Sequence, residues 1–155
     1  MKNFWVRVGA RLHLGHLDLN GSMGRYYGGI GLAINQPRLE VLVEKQEGLT
    51  LASKYSDKRV EIIAQKYIDF YDLPGAKIEI LQVIPTHCGL GSGTQLALAL
   101  GLAITRVYGL HPPPAELARV TDREGSRSGI GVAAFEQGGV LVDGGVRVKN
   151  IGSRD

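Results

Sequence analysis

Apolar and polar positions alternate over residues 3–18, where "FWVRVGARLHLGHLD" is rich in β-branched and aromatic side chains; this predicts one or two strands. "NGSMGRYYGG" at 20–29 interrupts the pattern as a loop, its turn marked by Asn20-Gly21. "IGLAIN" and "RLEVLVEK" predict two strands separated by Pro37, and "LTLAS" a short third. Over 57–71 the period changes: Val60, Ile63, Ala64, Tyr67, Ile68 and Tyr71 fall at helical spacing, with Asp57 as N-cap and Pro74-Gly75 as the stop. "AKIEILQVI" at 76–84 reads as a strand covered on at least one face. A helix over about 94–109 is apolar nearly all round, so it is expected to be buried. "HPPP" at 111–114 stops one element and starts a helix from 115. A short helical stretch "VAAFEQ" follows, then "GVLVD" and "VRVKN" as a hairpin about Gly144-Gly145. The predicted class is α+β, or a mixed α/β sandwich, with helices on one side of a largely antiparallel sheet and no internal repeat.

Composition changes this picture at a few points. The 155 residues suit one compact domain with a real core. The 22 glycines cluster at 15–31, 89–101 and 125–145, which points to several special backbone turns rather than a low-complexity chain. A net charge of +3 without a dense basic stripe argues against nucleic acid as a partner. Cys88 is the one cysteine, so no intrachain disulfide forms. No apolar run reaches the roughly 18 residues of a membrane span, and the first residues do not read as a signal peptide. The expected location is cytoplasmic, with no membrane partner.

The candidate chemistry begins at "HCGLGSGTQ", residues 87–95. A glycine-rich loop running into a helix presents unpaired backbone N–H groups and the positive end of the helix dipole, which favour an anion. The loop Gly89, Leu90, Gly91, Ser92, Gly93, Thr94, Gln95 is therefore the candidate phosphate site. Ser92 and Thr94 can add hydroxyl donors, or hold a Mg²⁺ that a phosphate brings. The P-loop pattern is absent, because no lysine lies here. A second group, Arg11, His13, His16 and Asp18, falls within eight positions of strand and turn. If Arg11 and His13 share a strand face they point the same way; the alternative is solvated strand polars, and two histidines three apart are a weak metal signature. "REGSRSGIG" at 123–131 offers Arg123 and Arg127 beside Ser126 and Ser128, forks suited to phosphate or carboxylate or simply an exposed charged turn. Cys88 is expected to pack as a small residue.

Three stretches resemble the GHMP kinase superfamily in the right order: "RLHLGHLDLNG" at 11–21 its first motif, "PTHCGLGSGTQLALALGLA" at 85–103 its phosphate loop, and "SGIGVAAFEQGG" at 128–139 its third. The fold this resemblance implies is the superfamily's N-terminal domain over 1–155, of the ribosomal protein S5 domain 2 type. "YYGGIGLAIN" and "RSGIGVAAFEQGG" are similar in wording to one branch, the beta-ribofuranosylaminobenzene 5'-phosphate synthases of methanopterin biosynthesis. That branch implies a transferase condensing phosphoribosyl pyrophosphate with 4-aminobenzoate or 4-hydroxybenzoate, with release of CO₂ and pyrophosphate. Mg²⁺ is the implied cofactor; ATP enters only under the alternative of a small-molecule kinase.

The resemblance leaves the catalytic residue open among Arg11, His13, His16, Asp18 and Arg127, and implies Arg25, Gly28, Gly29 and Ser128 as substrate-binding. Gly131 stands where many of these kinases carry a catalytic aspartate, so the phosphate frame is kept while kinase chemistry loses a carboxylate. Under the kinase alternative Asp18 or Asp122 would have to supply one. Members of the branch are about twice as long, so the C-terminal half is expected from elsewhere. The implied partners are a phosphorylated small molecule and either a separate chain bringing that half or a second copy in a homodimer.

Overall fold

The computed structural model describes residues 2–55, 57–122 and 129–147. It places β1 at Asn3–Asp18, β2 at Arg25–Glu44, β3 at Gly48–Leu51, α1 at Lys58–Phe70 and β4 at Gly75–Gln82. α2 follows at Ser92–Val107, α3 at Pro114–Val120, α4 at Ile130–Gln137, β5 at Val140–Asp143 and β6 at Val146–Arg147. The strands form one sheet in the order β1-β2-β4-β3, with β5 and β6 also on β2, and among the described residues only the β3–β4 pair is parallel. This is the expected α+β class, with four helices on a mostly antiparallel sheet.

Two expectations are corrected. The strands before and after Pro37 are one strand of 20 residues, crossing a cis Gln36–Pro37 peptide, and its first residues come from the stretch expected to be a loop. The expected hairpin about Gly144-Gly145 is also replaced. β5 pairs with Gly29–Leu32 of β2, and β6 with Arg25 and Tyr26 of the same strand. A glycine pair usually reverses a chain; here it only bends it, because the Asp143 carboxylate accepts the Gly145 N–H at 2.9 Å and Gly145 sits at φ 73°.

Residues directly opposite on neighbouring strands share a face. Val6, Val41 and Ile80 therefore form one inner row, and Val43 with Ile78 another. All five are buried against the helices. α1 has the expected N-cap: the Asp57 carboxylate accepts the Arg59 N–H at 2.9 Å, and Val60, Ile63, Ala64, Tyr67 and Ile68 turn inward. α2 is the buried centre of the layer. The Tyr67 ring lies over Gly101, where a Cβ would stand 2.4 Å from Tyr67 Cζ, and the Tyr67 hydroxyl donates to the Leu117 carbonyl at 2.9 Å. One side chain thus ties α1, α2 and α3 together. Among the described residues no helix is long and apolar enough to cross a membrane.

Candidate functional site

A change of strand parity builds the site. On β1 the inner positions begin even-numbered: Val6 and Ala10 are buried. The register then shifts between Gly9 and Arg11, and again between His13 and Gly15. At the first shift β1 advances two residues while β2 advances five, from Arg38 to Ala33; at the second β1 advances two while β2 advances one. Each bulge is odd in offset and so changes which β1 side chains share a face with the odd-numbered residues of β2. Beyond the first shift Arg11 lies opposite Ala33 and His13 opposite Gly31, on the helix side; beyond the second, His16 lies opposite Gly29 on the same side. Arg11 and His13 do share a face, and the second bulge brings in His16, three residues on, with its ring centroid 4.7 Å from that of His13.

The glycine loop docks on the first bulge. The Arg11 backbone N–H donates to the Leu90 carbonyl at 3.0 Å, and the Arg11 side chain crosses the face of Gly91. A Cβ on Gly91 would stand 2.7 Å from Arg11 Cγ and 2.8 Å from Nε, and Gly91 is in the left-handed region at φ 72°. Only glycine meets both demands without strain. Gly91 is the N-cap of α2 and supplies no side-chain cap. The first bond into the helix is Gln95 N–H to the Gly91 carbonyl, so the Ser92, Gly93 and Thr94 N–H groups stay unpaired among the described residues. Arg11 Nε is buried without a hydrogen-bond partner, and desolvation holds the guanidinium pKa below its ordinary value. Among the described residues no carboxylate pairs with this cation, which lies against the positive end of a helix, an arrangement that favours a bound anion.

His13 lies further along the same row. Desolvation, then the charges of His16 and Arg11, lowers its pKa, against a smaller opposing effect of Asp143. Its Nε2 is buried without a hydrogen-bond partner and stands 3.0 Å from where a Cβ of Gly29 would be. His16 Nδ1 lies 3.2 Å from the Gly28 carbonyl oxygen. The sequence offered no sign of Asp143. It is an acidic residue closing an apolar strand before two glycines, and its carboxylate accepts the Gly129 N–H at 2.8 Å at the start of α4.

Other candidates are occupied differently. The Asp18 carboxylate accepts three backbone N–H groups, Asn20 at 3.0 Å, Gly21 at 2.9 Å and Met23 at 2.8 Å, so it organises the β1–β2 turn; these bonds lower its pKa. Arg25 Nε donates to the Gly144 carbonyl at 2.7 Å and fastens the bend between β5 and β6. Gly28, at φ 54°, lets β2 approach β5, since a Cβ there would meet the Asp143 carbonyl oxygen at 2.6 Å. Gln95 is fully buried; its Nε2 donates to the Gly131 carbonyl at 3.0 Å and joins α2 to α4 rather than facing the loop. Asp122 pairs with Lys66 of α1 at 3.4 Å. Arg123, Ser126, Arg127 and Ser128 lie outside the described residues.

Thr94 and Gly131 meet at the junction of α2 and α4. A Cβ at position 131 would stand 3.0 Å from Thr94 Cγ2. Among the described residues no three His, Cys, Asp or Glu side chains converge as a metal site. The Ser92 and Thr94 hydroxyls suit a hard cation, yet two neutral oxygens hold one only together with a phosphate.

A family model described as the GHMP kinases N terminal domain matches residues 55–139. A beta-ribofuranosylphenol 5'-phosphate synthase of Archaeoglobus fulgidus is 41% identical over 145 residues, 93% of this chain and 46% of that protein. One of the same name from Methanocaldococcus jannaschii is 38% identical over 153 residues, 90% of this chain and 46% of that protein. The chain therefore spans about half the length of the curated relatives it matches. Among solved structures, a mevalonate kinase of Methanococcus jannaschii superposes with TM-score 0.64 at 18% identity, over 90% of this chain and 53% of its own. A homoserine kinase of Cytophaga hutchinsonii does so with TM-score 0.65 at 23% identity, over 92% and 48%. These likenesses concern the fold.

Proposed function

We propose, from the premise that this chain belongs to the GHMP kinase N-terminal-domain family, that it forms the anion-binding part of a ribosyl-aryl phosphate synthase. The reaction is the condensation of phosphoribosyl pyrophosphate with 4-hydroxybenzoate or 4-aminobenzoate, with loss of CO₂ and pyrophosphate. The relatives' name supports the product class. The observation that carries the reading is the unpartnered Arg11 guanidinium across Gly91, beside the uncapped start of α2.

The chemistry needs little from the protein except charge placement. As the bond from ribose C1 to the pyrophosphate oxygen breaks, negative charge gathers on the leaving group. The N–H groups of Ser92, Gly93 and Thr94 and the Arg11 guanidinium, set beside one another at the start of α2, would meet that charge. Mg²⁺, brought with the pyrophosphate, would be met by the Ser92 and Thr94 hydroxyls and would neutralise part of the same charge. Many kinases of this superfamily use a carboxylate to take the acceptor's proton. Position 131 has none, and Asp18 and Asp122 are engaged in a turn and in an ion pair.

The test uses the full-length protein that contains this chain, with Mg²⁺, phosphoribosyl pyrophosphate and carboxyl-labelled 4-hydroxybenzoate. Release of labelled CO₂ that depends on phosphoribosyl pyrophosphate is the expected result. ATP consumption with a small alcohol and no release of CO₂ would replace this reading with the kinase.

A further inference from the structure

A cavity of about 490 Å³ reaches the α2 N-terminus at Ser92, and neither Arg11 nor His13 lines it. This volume falls within the usual range of small-molecule sites. Leu39, Val60, Ile80, Ile84 and Leu96 wall it, each at most 7% exposed. Thr86 and Ser92 stand at the phosphate-loop end, and Lys54, Tyr55 and the Asp57–Arg59 pair at the other. The rim is built in: Ser53 Oγ donates to the Ile80 carbonyl at 3.2 Å and accepts the Tyr55 N–H at 3.0 Å.

We propose that this cavity receives the aryl acid, an inference that rests on the synthase reading above. The two substrates differ sharply in polarity. The hydroxyls of a phosphoribosyl group would lose their hydrogen bonds against five aliphatic side chains, whereas a benzene ring would lose nothing. Ser92 belongs both to the cavity and to the anion cradle, so a ring held there reaches a sugar whose pyrophosphate lies on the loop. The cavity also suits the loss of the carboxylate. Its guanidinium is already committed, with Arg59 Nη2 to Asp57 Oδ2 at 2.7 Å and Nε to the same oxygen at 3.0 Å. A carboxylate against the aliphatic wall is poorly solvated and has no free fork to hold it, which favours its departure as neutral CO₂.

The electrons balance without an oxidant or a base. The carboxyl-bearing ring carbon forms the new bond to ribose C1 while the C1–O bond leaves with its electron pair on pyrophosphate. The bond from ring to carboxylate then breaks, its pair restores the aromatic ring, and CO₂ departs.

The test is a titration of 4-hydroxybenzoate, with Mg²⁺-pyrophosphate present, into full-length protein carrying labelled Ile, Leu and Val methyl groups. Shifts at Ile80, Ile84, Val60 and Leu96 are expected. Shifts confined to Ile130, which packs beside the histidine row at Gly31, or no shifts at all, would overturn the assignment. So would displacement of the aryl acid from these methyls by adenosine but not by benzoate. The titration needs no turnover, so a protein that releases no CO₂ defeats the synthase reading without deciding the cavity. In an active protein, Val83→Trp at the rim should raise KM for the aryl acid by about ten-fold and leave KM for phosphoribosyl pyrophosphate within about two-fold. A rise in the second alone, or in neither, would overturn the assignment.

Discussion

Thr94 on α2 and Gly131 on α4 touch with no room to spare, the Cβ position of residue 131 lying 3.0 Å from Thr94 Cγ2 and 3.4 Å from its Oγ1. Introducing a carboxylate by Gly131→Asp therefore requires Thr94 to give by a few tenths of an ångström, and the expected destabilisation is about 1–3 kcal/mol. Thr94→Ser removes the obstructing methyl. The double variant should recover part of the loss, with a coupling of about 0.5–3 kcal/mol in a denaturant-unfolding cycle. Strictly additive changes would mean that the two residues do not bear on one another.

Arg11 should matter to the ligand and not to the fold. Its guanidinium is desolvated without a partner, so Arg11→Met is expected to leave the unfolding midpoint unchanged or raise it. Calorimetric titration of the same variant with Mg²⁺-pyrophosphate should show affinity lower by about ten- to a hundred-fold, the worth of a charge-assisted hydrogen bond. A large loss of stability with unchanged affinity would make Arg11 a structural residue.

His13 makes stability depend on pH in a known direction. Its folded pKa lies below the ordinary 6.5, so between the two values the unfolded chain binds the extra proton. The contribution is complete above pH 6.5 and declines as pH falls through the lower, folded value. His13→Gln should flatten the unfolding profile over that interval. A steeper profile, or a slope of opposite sign, would place the histidine in a different environment. Asp18 and Asp57, whose folded values are lowered by hydrogen bonds, act in a separate window, losing their contributions only as pH falls below about 3.8.

Asp18→Ala should loosen the turn at 19–24 and leave the chemistry in place. Its carboxylate is the acceptor for three N–H groups of that turn. Faster proteolytic cleavage between β1 and β2, with CO₂ release in the full-length protein within about two-fold of the parent, is the expected pattern. Complete loss of turnover with an intact turn would return Asp18 to the chemistry.

The helices were largely legible because capping and periodicity are local. Asp57 and the five inward residues of α1 follow from spacing alone. The glycine loop was legible for the same reason. The strands were not, because their course depends on neighbours distant in sequence. Pro37 suggested a break where β2 continues, and Gly144-Gly145 suggested a reversal where β2 keeps both arms on its own edge. The site depended on the bulges of β1. Plain alternation from Val6 would put Arg11 and His13 on the face away from the helices; the odd register offset between Gly9 and Arg11, where β2 carries the extra residues, turns them inward. The cavity was illegible too, since its walls come from β2, α1, β4 and α2.

The length of β2 has a mechanical consequence. Its early residues Gly29 and Gly31 face the histidine row and α4, and its later residue Leu39 walls the aliphatic cavity. One backbone therefore works as a ruler between the anion cradle with its histidine row and the aliphatic cavity, the two places that the synthase proposal assigns to the reactants. Sliding one against the other would mean breaking the two runs of ladder to β1, Asn3–Gly9 against Arg38–Glu44 and Arg11–Asp18 against Tyr27–Ala33. Under that proposal the separation between ring and sugar would be set when the chain folds, and any closing motion would have to come from segments hung on that ruler.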